Sequence, residues 1–150
     1  MAEHPPSSAR TGGCLCGAVR FTLSEDVRVF SACHCAMCRR WTGGPMLAVH
    51  CRGPVSWEGT EHITRYRSSD WAERCFCARC GSSLFYHLVA TGEIILSLGL
   101  FDDQSRFTMA KQIFIDEKPP GYAFANPTET MTGAEVFALY GAGAEDADPA

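Results

Sequence analysis

Cys77-Ala-Arg-Cys80-Gly81 is the stretch on which the fold of this chain turns. A Cys-x-x-Cys pair brings two sulfurs together across a tight turn, and the glycine after it can take the positive φ that such a turn needs. Two thiolates make half of a tetrahedral metal site, and structural zinc commonly takes four. The other half can come from Cys14-Leu-Cys16-Gly17, about 60 residues upstream. In an extended segment residues i and i+2 share a side, so both sulfurs of that pair can face one ion. A site made from the two pairs would staple the ends of a sheet and close a long loop.

Between them lies Cys33-His-Cys35-Ala-Met-Cys38, followed by Arg39 and Arg40. Three sulfurs leave one tetrahedral position open, the pattern of a catalytic zinc whose fourth ligand is water or substrate. Three thiolates on Zn2+ leave a net charge of about −1, a softer Lewis acid than a three-histidine centre. Such a centre favours sulfur, so an incoming thiol is its natural guest, held as thiolate for reaction with an electrophile. Other partitions remain open at this level. Cys38 with Cys33 or Cys35 could join Cys77 and Cys80, leaving Cys14 and Cys16 free. Cys51 or Cys75 could close the middle site, although isolated thiols read first as buried core residues.

The surrounding chain suits a reducing compartment. Its first eleven residues are polar, with no apolar core of a secretory signal. The longest apolar runs, such as Ile94 to Leu96, fall far short of the roughly 20 residues a membrane span needs. The reading is therefore cytoplasmic, where close-set cysteines are metal ligands or catalytic thiols rather than disulfides. With 150 residues and 46% hydrophobic content, the chain can bury a real core without disulfide staples. A net charge of −4 and the lack of a basic tail argue against a general nucleic-acid binder, which needs clustered Lys and Arg.

Outward from the cysteines, short β-patterned runs alternate with Gly, Pro, Asp and Ser. They cover 18–23, 46–51, 62–67, 84–88, 93–98 and 111–115. Runs of this length and spacing predict a mainly β, mostly antiparallel fold. Ala36 to Trp41 can form one helical turn. Thr132-Gly-Ala-Glu135 is a capping box that predicts a short C-terminal helix through Val136 to Leu139. The domain limits read as a disordered lead-in over 1–11, one zinc-binding domain over 12–140 and a flexible tail over 141–150.

Taken together, Gly13-Cys-Leu-Cys-Gly17, Cys33-His-Cys-Ala-Met-Cys-Arg-Arg40 and Phe76-Cys-Ala-Arg-Cys-Gly81 resemble the glutathione-dependent formaldehyde-activating enzyme family, which includes centromere protein V-like proteins. Gly43, Leu98 to Asp103 and Gln112 to Lys118 extend the resemblance over about residues 12–125. It implies a β-tent-like fold of antiparallel sheets held by a structural zinc on Cys14, Cys16, Cys77 and Cys80. It further implies a second, catalytic zinc on Cys33, Cys35 and Cys38. The implied reaction is that of a carbon–sulfur lyase, joining glutathione and formaldehyde reversibly. Members of the family often carry His and Trp where this chain has Gln112 and Tyr122, and Cys75 is an additional thiol.

Other polar residues are candidates of lower rank. Arg39 and Arg40 can offset thiolate charge or hold a substrate carboxylate. Lys118 matches the late lysine of the family and is a candidate substrate contact with Arg39 and Arg40. His34, between two ligand cysteines, should point away from them and serve packing or support. Arg74 and Arg79 read as local charge balance, and His50, His62 and His87 as structural strand residues. An enzyme acting on a thiol and a small aldehyde is the leading reading. The alternative is a zinc-stabilised module that binds a thiol, peptide or protein without turnover.

Overall fold

The computed structural model describes residues 9–140. The expected lead-in up to residue 8 and the tail from residue 141 lie outside the described residues. The remainder of the expected lead-in is corrected: Arg10 and Thr11 open strand β1, Arg10–Gly13. Arg10 is buried there by an ion pair with Asp26 and a hydrogen bond from its Nε to the Val27 carbonyl.

Strand β1 pairs antiparallel with β2 (Arg20–Leu23), and β2 with β5 (Val55–Glu58), forming a three-stranded sheet. The larger sheet has eight strands. They are β3 (Val29–Cys33), β4 (Met46–Cys51), β6 (Ile63–Arg67), β7 (Ala72–Cys77), β8 (Ser83–Leu88), β9 (Ile94–Ser97), β10 (Thr108–Ile113) and β11 (Glu129–Met131). Their spatial order is β11-β10-β3-β4-β9-β8-β7-β6. Pairing is antiparallel except on either side of β10, which runs parallel to both β3 and β11. Helix α1 (Ala36–Thr42) follows β3 directly, and α2 (Gly133–Tyr140) ends the described chain.

Period-two alternation assigns the two faces of the large sheet. Register places Val49, Leu96, Phe85 and Cys75 in one row across β4, β9, β8 and β7. All four are essentially inaccessible and form one core with Val19, Phe21 and Leu23 of the small-sheet segment. Trp57 of β5 closes this core, with its ring 5.0 Å from Phe85 and 5.8 Å from Phe21. Each such aromatic or Leu side chain, fully buried, contributes roughly 1.5–3 kcal/mol. The row one residue along, His50, Ile95, Tyr86 and Arg74, faces the opposite way. On that side a second core gathers Met46, Ala48, Ile95 and Phe114 beneath α1 and α2.

The predicted strands appear at 20–23, 46–51, 63–67, 83–88, 94–97 and 108–113. The strands without a prediction have specific causes. Strand β1 carries two glycines, β5 is four residues long and follows Gly53-Pro54, β11 has three residues, and β3 and β7 end in Cys33 and Cys77, which read as turns. The capping box forms as expected. Thr132 Oγ1 accepts the Glu135 N–H at 3.2 Å, and Glu135 Oε1 accepts the Thr132 N–H at 3.2 Å. Among the described residues, no helix is long and apolar enough to cross a membrane.

Candidate metal centres

Two turns build the first centre. Cys14 directly follows β1, and its N–H and the Val19 carbonyl close a loop at 3.0 Å. Within it the Gly17 N–H reaches the Cys14 carbonyl at 3.1 Å, with Gly17 at φ 79°. At the end of β7 the Gly81 N–H meets the Cys77 carbonyl at 2.8 Å, with Gly81 at φ 77°. Both glycines therefore occupy the left-handed region that side chains resist. The expectation that Cys14 and Cys16 converge by strand alternation is corrected here: a turn, rather than a strand, brings them together. Ser82 ties the turns to each other, since its hydroxyl accepts the Leu15 N–H at 3.1 Å and lies 3.2 Å from Cys80 Sγ.

The sulfurs of Cys14, Cys16, Cys77 and Cys80 all lie within 4.8 Å of one another. With a Zn–S distance of about 2.3 Å, tetrahedral geometry places sulfurs roughly 3.8 Å apart. Cys14 to Cys16 at 3.6 Å and Cys16 to Cys77 at 3.9 Å bracket that spacing. The donor set thus fits a tetrahedral thiophilic ion. The hydroxyl and backbone N–H of Ser82 pull the Cys80 thiol down to about 5, so this ligand is poised to ionise.

The second centre sits where β3 runs into α1. Cys33 is the last residue of β3, and Cys35 is the N-cap of α1, with its sulfur accepting the Cys38 N–H at 3.4 Å. One helical turn then carries Cys38 back over Cys33 and Cys35. The three sulfurs lie within 4.8 Å of one another, and all three residues are buried. Hydrogen bonds from Cys33 and Cys38 hold the Cys35 thiol far below its usual range, while Cys33, facing Cys35, is pushed well up. Cys51 and Cys75 belong to neither group. Both are buried in the first core, and burial pushes their thiols up to about 12 and about 11. All nine cysteines are free thiols.

The residues around the second centre divide sharply. His34 is completely buried and stands outside the sulfur group, with its ring nitrogens bonded to Gln112 and Tyr122. Gln112 Nε2 donates to Thr128 Oγ1 at 3.0 Å, which leaves Gln112 Oε1 to accept from His34 Nε2 at 2.9 Å. His34 Nδ1 is then the acceptor for the Tyr122 hydroxyl at 3.0 Å. Burial lowers the His34 pKa, which keeps the imidazole neutral. Gln112 and Tyr122, two positions where this chain departs from the family pattern, therefore act together on one histidine.

Arg39 and Arg40 line an open cavity of about 340 Å3 beside α1, with Gly43, Gly44 and Tyr122 among its other walls. Arg39 also donates from Nε to the His34 carbonyl at 2.9 Å. Lys118 does not line this cavity. Its Nζ donates to the carbonyls of Pro119 and Tyr122 and lies 5.2 Å from the Tyr122 ring centroid, so it holds the wall in place. The strand histidines have local partners: His50 with Glu93 and His87 with Glu73, each at 2.9 Å. Arg74 departs from its expected role beside the four-cysteine turn. It is buried on the other face of the sheet, with Nη1 3.7 Å from Cys38 Sγ. Period-two alternation was the available signal, because Arg74 must face opposite to Cys75 once β7 is recognised as a strand.

The comparisons with known proteins agree with the cysteine pattern. Residues 9–117 match the family model described as glutathione-dependent formaldehyde-activating enzyme. An uncharacterized lyase of Schizosaccharomyces pombe is 35% identical over 127 residues, which is 84% of this chain and 93% of that protein. A Halomonas elongata protein that carries the name of the same enzyme family is 36% identical over 83 residues, 49% of this chain and 53% of its own length. A crystal structure of a Rhodobacter sphaeroides protein aligns at 21% identity over 67% of this chain and 99% of that one, with a TM-score of 0.48, too loose a likeness to bear on function. With the family model matched across most of the chain and both cysteine clusters inside the match, this chain belongs to the glutathione-dependent formaldehyde-activating enzyme family.

Proposed function

We propose that this chain is a zinc-dependent carbon–sulfur lyase that reversibly joins a thiol such as glutathione to a small aldehyde such as formaldehyde. The observation that carries this reading is the contrast between the two sulfur groups. Four sulfurs complete one tetrahedron, whereas Cys33, Cys35 and Cys38 form a group with no fourth His, Cys or carboxylate donor among the described residues. Cys14, Cys16, Cys77 and Cys80 would hold a structural zinc, and the other three a catalytic one. The reading takes residues 12–140 as one zinc-binding domain, extended at its start by Arg10 and Thr11. β11 and α2, beyond the family match, support this by packing onto β10 and the second core. Nine unpaired thiols also support a reducing, cytoplasmic setting.

A zinc ion held by Cys33, Cys35 and Cys38 supplies positive charge that favours the thiolate form of an incoming thiol. The protein contributes position and charge around it. Arg39 and Arg40 border a cavity of a size suited to a small molecule and would hold carboxylates such as the two of glutathione. In the forward direction a sulfur–carbon bond forms, the carbonyl π pair becomes a C–O–H group, and the proton leaving sulfur ends on that oxygen. The reverse direction breaks the sulfur–carbon bond, and no electrons are gained or lost overall.

Exchange NMR on mixtures of glutathione, formaldehyde and their adduct tests this. The zinc-loaded protein should accelerate interconversion, and Cys38→Ser or chelation should abolish the acceleration. Glutathione binding without acceleration would instead establish a binding module.

A further inference from the structure

We infer that Arg74 is the internal counter-charge of the three-cysteine centre, a positioning residue that sets how tightly this centre holds its ion. This rests on reading Cys33, Cys35 and Cys38 as a metal site. Arg74 is only 6% exposed, and among the described residues no carboxylate forms an ion pair with it. A buried charge without a partner is costly and is rarely kept. What surrounds the guanidinium is the Trp41 ring at 5.1 Å, the Tyr86 ring at 5.0 Å and Cys38 Sγ at 3.7 Å from Nη1. Its Nε is buried with no hydrogen-bond partner.

The metal centre has the converse problem. Three thiolates and one divalent cation sum to about −1, in a pocket where every ligand is buried. The four-cysteine centre escapes that problem, because Cys16 is exposed and Cys80 half-buried, so water screens its charge. Arg74 cancels the excess at the buried centre, and the centre supplies the anion that Arg74 otherwise lacks. The anchorage is two-sided. Tyr86 lies beside Arg74 in the sheet register, while Trp41 stands on the helix that carries Cys38. Arg74 therefore holds the ligand helix to the sheet through cation–π contacts as well as neutralising its sulfurs.

The test is metal affinity rather than turnover. Zinc-loaded wild type, Arg74→Met and Arg74→Lys are titrated with a competing chelator. Removing a group that supports metal ligands typically weakens binding by about tenfold to a hundredfold. Arg74→Met should show that loss at the ion held by Cys33, Cys35 and Cys38 alone, with the ion of the four-cysteine centre unchanged, and Arg74→Lys should recover part of it through charge. Arg74→Met holding both ions within about twofold of wild type overturns the inference. Wild type binding fewer than two ions overturns the site reading instead, whatever the variants do. Should the methionine variant fail to fold, the wild-type chain still decides. Its Arg74 Nε–H signal in 15N–1H spectra should move when the ion of the three-cysteine centre is withdrawn, and an unmoved signal overturns the inference.

Discussion

The sulfur of Cys35 accepts the backbone N–H of Cys38 at 3.4 Å, so one candidate ligand caps the helix that carries the next. Cap and ligand are one atom, which couples the local fold of α1 to the three-sulfur centre. Replacing Cys38 by Ser leaves the cap in place, so the chain should keep its fold and lose one equivalent of zinc. Replacing Cys35 by Ala should lose the same ion and a further 0.5–2 kcal/mol, roughly, from the missing cap. Metal analysis with urea denaturation separates the two. Equal stability losses in the two variants would show that the cap contributes nothing.

The four-cysteine centre joins turns 61 residues apart, at Cys16 and Cys77. Cys80→Ser should therefore act on the whole fold rather than on one site. Structural zinc contributes on the order of 10 kcal/mol to folding in small domains, comparable with the entire stability of a typical domain. The expected outcome is loss of the ion of the four-cysteine centre together with loss of cooperative thermal unfolding. A Cys80→Ser variant that melts like wild type would remove the staple from this account.

Tyr122→Phe removes the hydroxyl that donates to His34 Nδ1 and leaves a buried acceptor unpaired. Such a loss costs about 1–3 kcal/mol. Chemical denaturation should show it, and the variant should be less stable than Tyr66→Phe, because Tyr66 is 63% exposed.

Asp102 gives the acid dependence its sign. Arg20 binds both of its oxygens, at 3.1 and 2.6 Å, and Thr11 donates to it at 2.8 Å. These bonds, Arg20 foremost, hold the carboxyl below its ordinary value of 3.8. The contribution to stability is therefore complete above that value and is lost as pH falls through the lower folded value. Asp102 and Arg20 are both nearly half exposed, so the effect is under about 1 kcal/mol. Asp102→Asn should be slightly less stable than wild type at pH 7, and the gap should close in acid. A gap that widens as pH falls would reverse the sign.

The cysteine clusters were legible because their chemistry is local. Cys33, Cys35 and Cys38 span six residues, and a single β-strand end with one helical turn suffices to bring their sulfurs together. The four-sulfur group was one of the partitions that spacing allowed, and the tertiary structure is what brings Cys14 and Cys16 to Cys77 and Cys80. Strand β2 was legible by the alternation of Arg20, Phe21, Thr22 and Leu23, while β7 was obscured because Glu73, Arg74 and Cys77 read as a polar turn. The contacts of Lys118 were not legible, since its Nζ meets the carbonyls of Pro119 and Tyr122 and a lysine's reach depends on which carbonyls the tertiary fold brings near it.

By itself, the sequence determined the three cysteine clusters, the mainly β class and the capped C-terminal helix. Each of these follows from spacing along a few residues, where backbone geometry alone decides the outcome. Only the tertiary structure decided that Cys51 and Cys75 stay out of both centres, that Tyr122 and Gln112 meet on His34, and that Arg74 faces Cys38. Those outcomes depend on strand register, in which a shift of one residue moves a side chain to the other face of the sheet. Arg74 lies 36 residues from Cys38 in the chain, and only the order of strands between them brings a buried cation to a cluster of sulfurs.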